Sequence, residues 1–213
     1  MAEANRKKRH RRGRRRKRKG GVLSNLILAV AIVVFCVSGF QLIRIGKGYL
    51  DGRSEYEKVR DVALTNPDEQ EGFRVDFEEL MKINPDTVGW IRFYPEPSQI
   101  SYPIVQGEDN ERYLHETFSA NENTLGAIFL NVDNKADFSD RNSIIYGHRM
   151  KDGSMFRHLQ DYEEKSFWEE NPYFYIYTPD GKEITYQIYS YAVVDATSDV
   201  YLTSFADDSA YQE

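Results

Sequence analysis

A histidine at the end of a β-type run is the residue of this chain best suited to catalysis. Asn142–Met150 passes from an apolar β-type stretch through Tyr146 and Gly147 to His148. An imidazole exchanges protons near neutral pH, so His148 is a candidate general acid/base. Such a histidine usually needs a nucleophile to act on, and the only cysteine, Cys36, lies far away in a hydrophobic stretch. The sequence therefore indicates a catalytic histidine for which no nucleophile is evident.

The net charge of −6 is the sum of a basic N-terminal segment and an acidic remainder. Residues 1–19 hold 12 of the 28 Lys and Arg residues and one acid, Glu3, which leaves 16 bases against 33 acids and a net charge of −17 for the remainder. Such a basic arm is typical of contact with nucleic acid or with a membrane surface. The apolar segment that follows favours contact with anionic headgroups, and no nucleic-acid partner is expected, although weak, salt-sensitive RNA contact stays open.

Residues 20–43 contain no charge and are long enough to span a bilayer. With the basic arm as a positive-inside flank, they predict a single-pass anchor in the cell membrane, with the N-terminus cytoplasmic and the acidic remainder extracellular. A cleaved signal peptide is the alternative, but this run exceeds the usual apolar length and no small-x-small site follows cleanly. Cys36 follows Val34 and Phe35 rather than the small residues of a lipoprotein signal, so we expect it to be a packing or lipid-facing residue.

Beyond the anchor, residues 44–72 are interpreted as a stalk and helix, and residues 73–213 as one domain. Gly46, Gly48 and Gly52 are expected to loosen the chain before a helix that starts near Ser54. A lone cysteine excludes an intrachain disulfide, so this domain must rely on its apolar core.

The pattern of the domain is mainly β. Helix-like spacing is confined to residues 75–83, 109–114 and 154–168, whereas short aromatic or branched runs bounded by Pro, Gly, Asn or Asp predict strands. A tight turn at residues 178–181 predicts a hairpin. Several short strands with few helices indicate an antiparallel barrel or sandwich. The predicted strands are 88–94, 101–105, 126–130, 142–146, 173–177 and 183–189.

The stretch Tyr146–Met150 resembles the catalytic-histidine motif of the sortases, membrane-anchored cysteine transpeptidases of Gram-positive bacteria. Three other stretches occur in the order expected for class B members, and one further stretch and a helical segment also resemble that class. The resemblance covers residue 73 to the last residue, and the ordered combination is more specific than any one motif. The supporting stretches are Val88–Ile91, Tyr102–Gln106, Asn110–Leu114 and Tyr201–Phe205, together with the helical segment 155–168.

The resemblance implies a fold and a mechanism. The fold is a sortase-like antiparallel β-barrel, here incomplete, with N-terminal helices and one transmembrane helix. A cysteine thiolate attacks the carbonyl after a Thr in a sorting-signal peptide of a secreted protein, and an amine, usually from peptidoglycan, resolves the thioester. His148 would be the acid/base group, and no cofactor is implied. By motif matching, two groups of residues would line the peptide groove: Asn110 and Leu114 on one wall, and Thr197, Tyr201 and Leu202, in the loop after a long strand 184–194, on the other.

The chain departs from the family pattern near its end. The family cysteine and arginine lie on the last two strands of an eight-stranded barrel, and neither residue is found in this sequence. Arg149 and Arg157 do not match the arginine by motif. We therefore expect no transpeptidase activity from these residues alone, an open barrel with an exposed apolar edge, and an incomplete or interrupted gene product rather than an evolved inactive protein.

Other polar residues have simpler interpretations. His115 and His158 lie on helical segments without metal-ligand spacing, and we predict no metal site. Three loop aspartates, Asp133, Asp137 and Asp140, do not follow the calcium-loop pattern. The alternative to an enzyme is a non-catalytic, membrane-tethered domain that binds sorting-signal peptides or acts as a scaffold.

Overall fold

A computed structural model describes residues 21–205, so the basic arm, residues 1–19, lies outside the described residues. The first element is helix α1, a single helix of 43 residues from Gly21 to Ala63. Gly46, Gly48 and Gly52, which were expected to loosen the chain before a helix near Ser54, all lie inside this helix, so that expectation was wrong. Each glycine costs a helix about 1 kcal/mol relative to alanine, which is too little to interrupt a long one. The chain divides into two units after Arg44.

Helix α1 is long and apolar enough to cross a membrane, with a mean hydropathy of 2.7 over its most apolar 18 residues. None of that window is buried. Length and composition therefore make it a candidate membrane anchor, which agrees with the apolar segment noted in the sequence.

The second unit begins at Ile45, within α1. Besides the remainder of α1 it contains three short α-helices, two 3-10 helices and eight strands within the described residues. The α-helices are α2 (Phe77–Ile83), α3 (Arg112–His115) and α4 (Lys165–Glu170), and the 3-10 helices are Arg157–Glu163 and Asp199–Tyr201. The strands are β1 (Leu64–Thr65), β2 (Arg74–Val75), β3 (Thr87–Phe93), β4 (Ser101–Val105), β5 (Ile128–Leu130), β6 (Ile145–Tyr146), β7 (Tyr173–Tyr177) and β8 (Glu183–Gln187).

The strands form a two-stranded ladder, β1–β2, and a curled six-stranded sheet in the order β6-β5-β4-β3-β7-β8. The mainly β architecture agrees with the prediction, but the sheet is not purely antiparallel. Strand β5 runs parallel to β4, with Ile104 opposite Ile128. The segment that joins these strands contains α3, and such a crossover brings the chain back in its original direction.

The sheet is open. Within the described residues, β6 and β8 each pair with a strand on one side only. The predicted long strand 184–194 is wrong beyond its first few residues, because β8 ends at Gln187 and the chain continues as irregular structure. The predicted helix over residues 154–168 is also divided, because a 3-10 turn precedes α4.

The core lies on the sheet and under α2 and α3. Trp90, Ile104 and Ile128 are completely buried in the sheet, and Leu80 on α2 and Phe118 after α3 are completely buried against them. Each such side chain stabilises the fold by about 1.5–3 kcal/mol relative to an exposed position. This core holds the strands that position His148.

Candidate active site

His148 lies directly after β6. Strand β6 pairs with β5 through Tyr146 and Phe129, and the peptide N–H of Phe156 donates to the carbonyl of His148 over 2.9 Å. The preceding glycine is required by packing. A Cβ added to Gly147 would lie 2.4 Å from Ile128 Cδ1 and 2.6 Å from Phe156 Cδ2, so a larger residue would force one of these side chains or the backbone beside the histidine to shift.

A backbone carbonyl holds the ring of His148. Its Nε2 atom lies 2.8 Å from the carbonyl oxygen of Leu114, and the residue is half-buried. A carbonyl oxygen can only accept, so Nε2 carries the hydrogen and donates it. In the neutral ring Nδ1 is then the nitrogen with the free lone pair. The site thus contains an oriented imidazole with a defined basic atom.

Leu114, whose carbonyl accepts the hydrogen bond from His148, belongs to helix α3. Hydrogen bonds and an ion pair hold this helix in place. The hydroxyl of the buried Tyr113 donates to Asp86 over 2.6 Å and accepts from the side chain of Asn84 over 2.9 Å. Burial, reinforced by the hydrogen bond to Asp86, raises the pKa of Tyr113 to about 12. Arg112 forms an ion pair with the same aspartate at 2.9 Å. These contacts hold the short helix against the start of β3.

The start of α3 is stabilised by an aspartate. The Asp109 carboxylate accepts from the backbone N–H groups of Arg112 and Glu111, each over 2.9 Å. These hydrogen bonds, the one from Arg112 first, lower the pKa of Asp109 below its usual value. Asp109 therefore stabilises the first turn of α3, the helix whose Leu114 carbonyl contacts His148.

The other predicted groove residues lie at the opposite end of the β5–β6 pair. The side-chain oxygen of Asn110 accepts the backbone N–H of Val132 over 2.9 Å, just past β5. Asn142, which precedes β6, donates to the carbonyls of Val200 and Leu202 over 3.0 and 2.8 Å.

The structure therefore places the predicted residues in two groups. Leu114 contacts His148 directly, whereas Asn110 and the Tyr201–Leu202 segment are tied to the far end of the same strand pair. Thr197 is exposed, and Tyr201 and Leu202 are 40% and 48% exposed. None of these three side chains is buried in the core, so they are accessible to a ligand.

An apolar cavity of about 270 Å³ lies on the open side of the sheet. It reaches from Ile145 on β6, past Ile91 and Phe93 on β3, to Ile188 after β8. The hydroxyl of Ser143 is buried at this position without a hydrogen-bond partner. An apolar surface between two edge strands is the kind of place where further extended chain can pair and pack.

Among the described residues, Cys36, Arg149 and Arg157 do not complete a catalytic site at His148. Cys36 is an exposed residue of α1. Arg149 donates to Gln160, and the guanidinium of Arg157 has a buried nitrogen without a partner. Within residues 21–205, no three His, Cys, Asp or Glu side chains are grouped so that they could hold a metal ion.

Two contributions to this site could not be read from the sequence. The first is the backbone carbonyl of Leu114, which contacts His148, whereas the sequence motif placed Leu114 only in a wall of the peptide groove. Asn142 anchors the segment that contains Leu202, and nothing in its local pattern indicates this partner, 60 residues away.

Comparison with known proteins agrees with this geometry. The family model of the sortase domain matches residues 96–211. Sortase B of Listeria monocytogenes is 35% identical over 165 residues, which are 76% of this chain and 63% of the relative. Sortase B of Staphylococcus aureus is 32% identical over 191 residues, which are 88% of this chain and 75% of the relative. The chain belongs to the sortase family. It spans less than two thirds of the length of the Listeria relative.

Solved sortase structures share the fold. Sortase B of Bacillus anthracis in complex with AAEK1 superposes with a TM-score of 0.64 at 30% identity and covers 78% of both chains. A Staphylococcus aureus sortase B–substrate complex gives a TM-score of 0.60 at 27% identity, over 82% of this chain and 75% of that one. A sortase B complexed with triglycine gives 0.59 at 35% identity, over 64% and 62%. The open sheet is thus a sortase fold of class B.

Proposed function

We propose that the protein is a class B cysteine transpeptidase in which His148 is the general acid/base. The observation that carries this proposal is the hydrogen bond from His148 Nε2 to the carbonyl of Leu114, which leaves Nδ1 as the atom that exchanges protons. A fixed tautomer with one available nitrogen is what a proton-transfer group requires.

Both half-reactions of the transpeptidation require a proton transfer at His148. A thiolate attacks the peptide carbonyl, and the nitrogen of the scissile bond leaves as an amine after it takes a proton from His148. The resulting thioester is attacked by a second amine, whose surplus proton returns to the neutral imidazole. The sulfur leaves as thiolate, so the catalyst is regenerated.

The two groups of predicted groove residues fit an extended peptide. Leu114 lies beside the histidine, whereas Asn110 bonds to Val132 just past β5, and the segment with Tyr201 and Leu202 bonds to Asn142 before β6. The proposed substrate is a short sorting-signal peptide of a secreted protein, with its cleavage site near His148 and its flanking residues toward Leu202. Thr197 would contact it from the outer loop.

The second substrate in this proposal is an amine of peptidoglycan. A substrate complex and a triglycine complex of other sortases support a peptide donor and an amino acceptor for this chain. Helix α1 would anchor the protein in the cell membrane, with the basic residues 1–19 on the cytoplasmic side and the catalytic domain outside, next to both substrates. The enzyme would then attach surface proteins to the cell wall.

The 213 residues alone are proposed to be inactive. Their only thiol belongs to Cys36, within the most apolar part of the chain. By the family pattern, the nucleophile and an arginine come from strands that would pair beside β6 and cover the cavity at Ile145.

A non-catalytic role is the second candidate, because the apolar cavity and the free edge of β6 could bind an extended peptide without cleaving it. Reading the coding DNA beyond codon 213 separates the two functions. A Thr-Cys strand followed by an Arg, in frame or one shift away, supports the transpeptidase. A stop codon followed by unrelated sequence supports the binding or scaffold domain.

A further inference from the structure

The part of α1 that follows Arg44 packs closely on the segment 117–126, which leads from α3 to β5. A Cβ added to Gly52 would lie 2.9 Å from Leu125 Cδ2, so the helix backbone touches this segment. The side chain of Asn123 donates to the carbonyl of Gly48 over 2.9 Å. Glu55 accepts from the backbone N–H of Ser119 over 2.9 Å. The helix and the segment are joined by polar contacts as well as by packing.

Tyr56 makes the deepest of these contacts. It is only 4% exposed, and its ring meets Tyr102 edge-on with 5.4 Å between the ring centres. Its hydroxyl donates to the carbonyl of Gly126 over 2.9 Å and accepts the backbone N–H of Phe118 over 3.2 Å. One buried hydroxyl thus ties together two points of the segment that are eight residues apart.

Gly126 in turn lies against the histidine site. Its φ of +60° is a conformation that favours glycine, and an added Cβ would lie 2.9 Å from the carbonyl oxygen of Leu114 and 3.0 Å from His148 Cδ2. The next residue, Ala127, donates its N–H to the carbonyl of Tyr113 over 2.8 Å. The backbone at Gly126 therefore borders both partners of the His148–Leu114 hydrogen bond.

We propose that Tyr56 is a positioning residue for His148, which holds Gly126 so that the carbonyl of Leu114 and the imidazole stay in hydrogen-bond contact. This inference rests on the proposed function of His148. The hydrogen bond between His148 and Leu114 can nevertheless be measured in a protein that is not catalytically active. A proton-transfer group loses efficiency when its ring is free to rotate, so a remote hydroxyl can affect the chemistry through orientation alone.

The test is the tautomer of His148 in the full 213-residue chain, labelled with ¹⁵N-histidine and held in detergent micelles. The variant Tyr56→Phe keeps the ring and removes both hydrogen bonds of the hydroxyl. We expect the Nε2–H population of His148 to fall, with both ring ¹⁵N resonances shifted toward those of a mixed, rotating imidazole. The matched control is Tyr162→Phe, which removes a buried hydroxyl bonded to the carbonyl of Asn171 over 3.0 Å and should leave the resonances of His148 unchanged.

A folded Tyr56→Phe protein with the wild-type tautomer population would overturn the proposal, as would an equal shift in Tyr162→Phe. Should Tyr56→Phe not fold, Glu55→Gln weakens the contact of the same helix with Ser119 and must shift the His148 resonances in the same direction. Unchanged resonances in that variant would also overturn it. The NMR result does not depend on catalysis. It would stand even if His148→Ala had no effect on transpeptidation in a protein that also contains the cysteine and the arginine, so failure of the proposed function is distinguished from failure of this inference.

Discussion

The Nε2 atom of His148 and the carbonyl oxygen of Leu114, separated by 34 residues in sequence, lie 2.8 Å apart. This contact joins the strand β6 to the helix α3. It also determines which nitrogen of the imidazole is available for proton transfer.

The first prediction concerns the tautomers of two histidines. His148 should carry its hydrogen on Nε2, whereas His158, whose Nδ1 lies 2.9 Å from an oxygen of Asp161, should carry one on Nδ1. Two-bond ¹H–¹⁵N correlation spectra of the neutral rings distinguish the two patterns. An Nδ1–H tautomer at His148 would contradict the site described above.

The second prediction concerns packing at Gly147. Gly147→Ala places a Cβ 2.4 Å from Ile128 Cδ1, so we expect a loss of about 1–3 kcal/mol in the free energy of unfolding, measured by urea denaturation. Gly48→Ala is the control, because no atom lies within 4 Å of the added Cβ and a helical alanine is favourable by up to about 1 kcal/mol. Equal stability of Gly147→Ala and wild type would show that Ile128 and Phe156 do not pack closely against Gly147.

The third prediction concerns the loop before β6. The backbone N–H of Lys135 donates to Asp140 over 2.6 Å, and this bond, with one from the side chain of Asn134, holds the pKa of Asp140 below its usual value. A lowered folded-state pKa stabilises the fold above the unfolded value of about 3.9, and this contribution is lost as the pH falls through the folded-state value. We therefore expect Asp140→Asn to be less stable than wild type at pH 7 and the difference to shrink at lower pH.

Urea denaturation from pH 7 to pH 3 measures that difference. Lys135→Met is the control, because it removes an ammonium 3.6 Å from the carboxylate and keeps the backbone donor. It should retain most of the pH dependence of wild type. A constant difference between Asp140→Asn and wild type over this range would refute the assignment.

The fourth prediction concerns Cys36. The 213-residue protein should form no thioester with a sorting-signal peptide, because its single thiol lies in the apolar part of α1. Mass spectrometry of the intact protein after incubation with the peptide detects an acyl adduct. An adduct on wild type that is lost in Cys36→Ser would contradict this account.

Much of the fold follows from local sequence signals. Aromatic and branched runs such as Tyr173–Tyr177 become strands because such side chains fit the pleated, partly buried surface of a sheet. Asp76 caps α2 by accepting the N–H of Glu79 over 3.0 Å. The parallel pairing of β4 and β5 was not predictable in this way. Strand direction depends on the path of the connection through α3, which local periodicity does not encode.

The site was predictable only in part, for a similar reason. The motif at Tyr146–Met150 singled out His148 because its residue types are visible in the sequence. The group that orients it is the carbonyl of Leu114, and a backbone carbonyl is present at every residue. Only the three-dimensional path of the chain shows which of them approach the imidazole.

The most direct test of the central claim is a fusion of this chain to the part of Staphylococcus aureus sortase B that follows the aligned region. By the family pattern that part should supply the cysteine and the arginine. The fusion should form a thioester with a sorting-signal peptide, and His148→Ala should lower the rate by about 10²–10⁴-fold, whereas His158→Ala should not. A folded, peptide-binding fusion that forms no thioester, or one that reacts equally fast without His148, would contradict the account.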